Sequence, residues 1–502
     1  MIKRLHCRSL FATVGPLPRQ AALLVAMAGL VPAAFGQAVT FAPVTSYSTG
    51  ASTNPLRTAV ADVNGDGKLD ALVTNSTTNT LGVLLGDGTG RFTLQANAPS
   101  TGAGGGPRAV AVADVNGDGK LDALVANYQT TTLSVLLGNG TGGFTLQAAM
   151  PRLGVSNPTS LVVADVNGDG KIDALATDSN GGALSVMLGN GSGGFTYQSN
   201  SPATGGSIPY DVAVADVNGD GKVDALVANY GDGTLGVLLG TGTGSFTLQD
   251  NPPATGGANS VPYSVAIADV NGDGKPDALV ANHGTSTLGV LLGNGSGGFT
   301  LQATSPSTGT GSRPASVAVA DFNRDGKLDA LVTNTDAGTL AVLLGNGSGS
   351  FTLQTAAFNT NAISNTFGLT VADVDGDRKP DALVANTSSN TLSVLLNKTT
   401  VLATRTALPG TSASLYPNPA HATATLAVTG LPATAAQVRA LLLDATGRAM
   451  GQPVLVLAGQ GQAQTTVPTA GLATGLYVLR LTALNAQGGL LGELPTQRLN
   501  VW

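Results

Sequence analysis

The chain has 502 residues, with 24 Lys and Arg against 30 Asp and Glu, a formal charge of −6 and a pI near 5.0. An acidic balance without a basic cluster excludes a nucleic-acid partner. A single cysteine excludes a disulfide-built fold.

The first 36 residues read as a signal peptide. Lys3, Arg4, Arg8 and Arg19 precede an apolar run, Ala21 to Phe35, and Ala34 and Gly36 suit a cut before Gln37. Gly29 and Pro32 interrupt the run, which is too short to span a bilayer. The alternative is a buried N-terminal helix. Cys7 would leave with the signal, so the exported protein would rely on packing and metal. No later segment reads as transmembrane.

The stretch ADVNGDGKLDALV, Ala61 to Val73, then recurs seven times. Its first Asp falls at Asp62, Asp114, Asp165, Asp216, Asp269, Asp321 and Asp373, at spacings of 51 to 53 residues. Such regularity marks a repeat architecture. Six loops place Asp, Asn, Asp, Lys and Asp at positions 1, 3, 5, 7 and 9, and the seventh has Asp at position 3. The candidate ligands are Asp62, Asn64, Asp66, Lys68 and Asp70 in the first copy, and Asp114, Asn116, Asp118, Lys120 and Asp122 in the second. The third and fourth offer Asp165, Asn167, Asp169, Lys171 and Asp173, then Asp216, Asn218, Asp220, Lys222 and Asp224. The fifth and sixth offer Asp269, Asn271, Asp273, Lys275 and Asp277, then Asp321, Asn323, Asp325, Lys327 and Asp329. The seventh offers Asp373, Asp375, Asp377, Lys379 and Asp381.

Oxygens at odd positions around a Gly-centred turn make a cage for calcium, a hard cation that takes about 6–8 oxygen ligands. The lysines would contribute only their backbone carbonyl. Gly67 and its counterparts supply the positive φ of the turn. Position 12 of the first copy is Val73, not the glutamate of an EF-hand. A plain polar hairpin is the competing reading, since Asn-Gly and Asp-Gly are turn dipeptides. Charge argues against it: 22 of the 30 acids lie in these loops, and 38–398 holds 28 acids against 15 bases, a formal charge of −13. Carboxylates clustered in one turn repel unless a cation neutralises them. The expectation is structural calcium, up to seven ions.

Each repeat offers four short strands, in the second copy roughly Arg108–Val115, Leu121–Asn127, Leu133–Leu137 and Gly143–Gln147. No segment has a helical period. Four strands repeated seven times predict a β-propeller; an open solenoid usually has shorter repeats. A GFTLQ-type strand ends six repeats but not the seventh, and Val39–Tyr47 resembles the missing piece. An N-terminal strand completing the last blade would close the ring and remove an edge.

The calcium loops join strands one and two, which places them on one face. The connections between strands two and three, and between blades, fall on the opposite face and vary most. They carry Tyr128, Tyr230 and His283 at matching positions, and Tyr210 and Tyr263 just before inner strands. Variable loops on a rigid ring are where binding resides, so these five are candidate ligand residues. The alternative is that they only pack between blades.

These repeats resemble FG-GAP repeats of the VCBS type, as in the propeller heads of integrin α chains and many exported bacterial proteins. The resemblance rests on D-x-[DN]-x-D-G-x-x-D, a short apolar strand and LLGNGxGxF, and covers about 38–398. It implies calcium in the Asp-rich loops and partners on the opposite face. Some copies depart from the pattern. The sixth has Arg324 at position 4, a change expected to be tolerable. The seventh has Asp375 at position 3 and Arg378 at position 6, where a left-handed conformation is strained. Pro276 and Pro380 stand at position 8, where no donor is needed.

Thr399–Ser412 reads as a polar linker, and Ala413–Trp502 as a small β-sandwich carrying LYPNPA, LLDATGR, LATGLYVLRL and QRLNVW. This segment resembles the Por-type sorting tail of type IX secretion. That implies export across the outer membrane through the type IX machinery, then release or surface attachment. The alternative is an ordinary adhesion sandwich.

Catalytic residues are sparse. His283 is the only histidine of the repeat region, Glu493 the only glutamate and Trp502 the only tryptophan. Asp178, Asp211, Asp232 and Asp336 lie in or near the variable loops. The expected whole is an all-β chain: a seven-bladed propeller of four-stranded blades plus a C-terminal sandwich. The expected role is a secreted or surface-attached, non-enzymatic binding or adhesion module for an extracellular protein or glycan. A polysaccharide lyase or hydrolase using Asp and Tyr on the variable face is the alternative, and a bare scaffold a third.

Overall fold

The computed structural model describes residues 37–362, 365–400, 408, 410–420, 422–444, 450, 454–486, 488 and 490–501. The expected signal peptide with Cys7, His421, Trp502 and part of the linker lie outside the described residues. All regular structure among the described residues is β.

The second repeat shows how sequence makes each sheet. Its strands are Pro107–Ala113, Asp122–Asn127, Thr132–Gly138 and Phe144–Leu146, paired antiparallel in that order. The second strand, DALVAN, is buried at every residue, and so are its counterparts in the other repeats. A continuous apolar run fits a strand covered on both faces, and here the neighbouring sheets cover it. Leu124 and Val135 pack with Ala174 and Met187 of the next repeat, for example. The sequence places these strands to within a residue or two. It misses a continuation of the fourth strand, which re-pairs with the third at Thr132 and Arg152 and at equivalent bridges in four other repeats.

Six four-stranded sheets and one of five, in which Phe358–Asn359 pairs additionally with Thr339–Gly345, make up the described repeat region. Their first strands touch in cyclic order, and Pro55–Ala61 of the first repeat meets Thr366–Ala372 of the last. The last sheet takes its outer strand from the other end of the chain: Thr45–Ser48 pairs with Thr391–Leu395, Thr45 facing Val394. The result is an all-β, propeller-like fold with the expected exchange of strands at the seam. On the loop face, Gly142, Gly193 and Gly244 N–H groups donate to Val63, Val115 and Val166 carbonyls of the preceding loops. Gly90 of the first repeat donates likewise to Val374 of the last, at 3.1 Å. These bonds tie the loops into a belt.

The C-terminal segment forms two sheets. Ser412–Tyr416, Thr423–Thr429 and Ala463–Pro468 make one; Val454–Leu457, Gln437–Leu443, Gly475–Leu484 and Leu490–Val501 make the other. Thr423–Thr429 alternates exposed and buried residues, the signature of a strand with one covered face. Leu426, Val428, Val438, Leu479 and Leu499 form the shared core.

Candidate functional site

The repeated loops are held by their own backbone. In the first, Asp62 Oδ1 accepts from the N–H of Gly65 (2.7 Å) and Asp66 (3.2 Å), and its Oδ2 from Gly67 (2.8 Å). Asn64 Oδ1 accepts from Asp66 N–H and Asp66 Oδ1 from Lys68 N–H, both at 2.9 Å. The third, fourth and fifth loops repeat this set. These bonds fix the oxygens, and Asp62 Oδ2, Asn64 Oδ1 and Asp66 Oδ1, with one bond each, keep a further lone pair. The side-chain donors at positions 1, 3 and 5 are therefore all oxygens, already oriented, which is the chemistry a hard divalent cation takes. The Lys68 ammonium stands 3.6 Å from Asp66 Oδ2, and its counterparts at 120, 171, 222 and 275 stand at 3.1 to 3.6 Å from theirs.

Position 9 behaves differently. Asp70 is fully buried, its Oδ2 accepting from Val63 N–H (3.0 Å) and its Oδ1 from Gly86 N–H (2.8 Å) at the end of the third strand. Asp122, Asp173, Asp224, Asp277, Asp329 and Asp381 make the same pair of bonds. Burial raises the pKa of all seven, with nearby loop carboxylates adding to the rise; Asp329 is pushed up to about 7 and Asp381 to about 6. The sequence groups this Asp with the ligands. The structure gives it a second task, stapling the loop to the sheet.

The seventh loop stands apart. Oxygens of Asp373, Asp375 and Asp377 all lie within 4.8 Å of one another, the single such group of three among the described residues. Lys398 Nζ approaches Asp375 Oδ2 at 2.5 Å and Asp377 Oδ2 at 3.5 Å, and Lys379 Nζ lies 3.0 Å from Asp377 Oδ2. Lys398, which the sequence reading passes over, thus supplies a built-in cation. Arg378 adopts φ 64° as expected, and Arg324 adopts φ 59°. Position 4 is also left-handed, as Gly65 (φ 75°) shows, so the Arg324 replacement carries strain of the same kind as Arg378.

Of the five aromatic candidates on the opposite face, each half-buried, Tyr210, Tyr230, Tyr263 and His283 gather into one row. Tyr210 and Tyr263 do not precede inner strands but lie inside them, in Pro209–Ala215 and Pro262–Ala268. The ring of Tyr210 is 4.3 Å from that of Tyr263 and 5.8 Å from that of Tyr230, and His283 stacks on Tyr263 at 4.3 Å. Burial raises the pKa of the Tyr263 hydroxyl, neighbouring Tyr210 and Tyr230 adding to it, and burial lowers that of His283.

Arg108 joins this row to Tyr128. Its guanidinium carbon sits 4.7 Å from the Tyr128 ring centre and 5.4 Å from that of Tyr210, and its Nη2 donates to Tyr210 Oη at 2.6 Å. The sequence reading misses it, although the signal is present: six residues before the loop Asp, the repeats read Leu56, Arg108, Thr159, Tyr210, Tyr263, Ala315 and Phe367. Small Thr159 lets Arg108 reach Tyr210 across it.

The four free aspartates do not assemble into a catalytic group. Asp211 lies in an inner strand, 4.0 Å from Arg57 across the ring, and accepts from Ser160 Oγ (2.7 Å) and Val265 N–H (3.1 Å). Asp178 accepts three backbone N–H groups, Asp232 accepts from Ser207 N–H, and Asp336 pairs with Arg313 at 3.4 Å.

Six overlapping stretches between residues 62 and 384 match the family model described as FG-GAP-like repeat, and residues 414–488 match the secretion system C-terminal sorting domain. No curated protein is significantly similar in sequence. Among solved structures, a protein of unknown function from Desulfotomaculum acetoxidans is 13% identical with a TM-score of 0.47, over 65% of this chain and 94% of that one. A Lactobacillus plantarum protein is 13% identical with a TM-score of 0.46, over 82% and 99%. The extracellular domain of a putative hybrid two-component system from B. thetaiotaomicron is 10% identical with a TM-score of 0.44, over 91% and 57%. Similarities of this size carry no functional inference.

Proposed function

Because the chain belongs to the FG-GAP-like repeat family, we propose that it is a calcium-stabilised, seven-bladed propeller whose aromatic face binds an extracellular protein or glycan. Its C-terminal sorting domain marks it for type IX secretion to the cell surface or extracellular space, and no helix among the described residues is long and apolar enough to cross a membrane. The row of tyrosines with His283 and Arg108 carries the binding reading. Four aromatic rings within 4.3 to 5.8 Å of their neighbours, half-exposed on one face, exceed what a single inter-sheet contact requires.

Calcium belongs to the scaffold in this reading. In the first loop, Asp62, Asn64 and Asp66 side chains and the Lys68 carbonyl would hold the ion. Asp70 would support it through the bonds that anchor the loop. A bound divalent ion offsets the mutual repulsion of the carboxylates. An ion that binds only the folded state contributes about 2.7 kcal/mol at a hundredfold excess over Kd.

A non-enzymatic module is consistent with the repeats and the tail, and the four variable-face aspartates are each engaged locally. The test is a glycan and protein array probed with the calcium-loaded chain, followed by product analysis of every hit. Capture without turnover, lost in Tyr263→Ala, supports the reading. New reducing or unsaturated ends would replace it with the lyase or hydrolase alternative.

A further inference from the structure

Arg108 is the unusual member of the aromatic row. Arg57 and Arg313 each face a carboxylate, Asp211 and Asp336. Arg108 faces none among the described residues; one donor is used by the Tyr210 hydroxyl, and the plane is held between two tyrosine rings. A guanidinium so fixed has donors left for a planar anion. It opens onto a cavity of about 510 Å³ between the first and second repeats, on the face away from the Asp-rich loops.

The wall of that cavity is polar and carries no acid. Asn54, Ser76, Asn79 and Gln129 line it together with Arg108 and Tyr128. Asn79 Oδ1 accepts from Gly106 N–H at 2.7 Å, which fixes the amide and leaves its Nδ2 as a donor. Gly106 has φ 56°, and a Cβ there would stand 3.1 Å from the Gln129 side chain, so glycine lets Gln129 lie along the wall. Amides and a hydroxyl beside an aromatic ring suit sugar hydroxyls and C–H faces better than apolar peptide side chains. The lone positive charge asks for an acidic sugar.

We propose that this cavity binds a carboxylate-bearing sugar, a hexuronate unit of an acidic polysaccharide, with Arg108 as partner of the carboxylate and Tyr128 beside the ring. The assignment rests on the binding-face reading above and names its ligand class. Arg108 is a binding residue here, and no bond is made or broken.

The test is calorimetric titration of the full exported chain, at fixed low calcium, with a short oligouronate, its neutral methyl ester and a sulfated oligosaccharide of equal length. The oligouronate is expected to bind roughly ten- to a hundredfold tighter than the ester, the worth of one hydrogen bond to a charged group. Arg108→Gln should erase that preference. Asn79→Asp keeps the acceptor for Gly106 but adds a negative charge to the wall, so it should erase the preference without moving the melting temperature. Equal affinity for the acid and its ester, a preference surviving both variants, or no binding of any probe overturns the proposal. Tighter binding of the sulfated probe overturns it in favour of a sulfate ester. If uronates fail while some other ligand is lost in Tyr263→Ala, the binding face stands without this assignment; a chain that captures nothing there loses both.

Discussion

The two faces of the ring obey opposite rules. On the loop face, seven copies repeat almost atom for atom: a carboxylate at position 1 wrapped by backbone N–H groups, and a buried Asp at position 9 bridging loop and sheet. On the other face, equivalent positions read Ser76, Tyr128, Ser179, Tyr230, His283, Thr335 and Thr387. Repetition answers a demand that every sheet shares, namely charge and turn geometry. Departure from repetition places an aromatic row over only part of the ring. A scaffold built from copies thus differs from sheet to sheet where the copies disagree, and under the proposed binding reading specificity would reside there.

The comparison breaks most readily at the loops. Chelation should lower the melting temperature by roughly 10 °C or more if several ions each contribute about 2.7 kcal/mol, as scanning calorimetry with and without EDTA would read. An unchanged curve removes calcium from the account.

Two single substitutions then separate the roles within a loop. Asp70→Ala strands two buried N–H groups and should cost about 2–4 kcal/mol whether or not calcium is present. Asp66→Ala, in the exposed part of the loop, should destabilise only the calcium-loaded protein. The double variant should bind one ion fewer. Equal calcium dependence of the two single variants would merge the roles again.

On the opposite face, Tyr263→Ala should cost about 1–3 kcal/mol from lost aromatic packing and abolish ligand capture. Ion stoichiometry should be unchanged; a change would mean that the faces are coupled. Lys398→Ala tests the exception on the loop face. Removing the ammonium beside Asp375 and Asp377 should raise calcium affinity at the seventh loop, with a stability change under about 1 kcal/mol.

The smallest effect concerns His283. Burial holds its pKa below the usual value of about 6.5. The unfolded chain therefore takes up the proton first, and this residue's share of stability, present above pH ~6.5, is lost as pH falls toward the folded value. His283→Gln should lose less stability than the parent chain over that interval, read by parallel melts.

Much of this was legible in the sequence because the repeat multiplies weak signals. DALVAN alone is ambiguous between strand and buried helix; seven copies between two turns are not. The loop was readable as a turn because Asp and Asn at alternate residues accept backbone N–H bonds, as they do here. Other features escaped. The second task of Asp70 depends on Gly86, in the next hairpin, which no local pattern reveals. The left-handed φ at Arg324 was hidden because the position 4 glycines look like a turn preference and not a requirement. Arg108 meets Tyr210 two repeats on, and Lys398 meets Asp375 from the far end of its own sheet, so folding and not spacing brings each into place.

The seam has a consequence for how the chain is made. Thr40 and Thr399, 359 residues apart, are hydrogen-bonded, and the last sheet is unfinished until both ends of the repeat region exist. In chain order, Thr45–Ser48 therefore comes long before its partner, Thr391–Leu395. Closing a loop of that length costs chain entropy before the pairing contributes anything, so the seam is expected to be a slow contact to form.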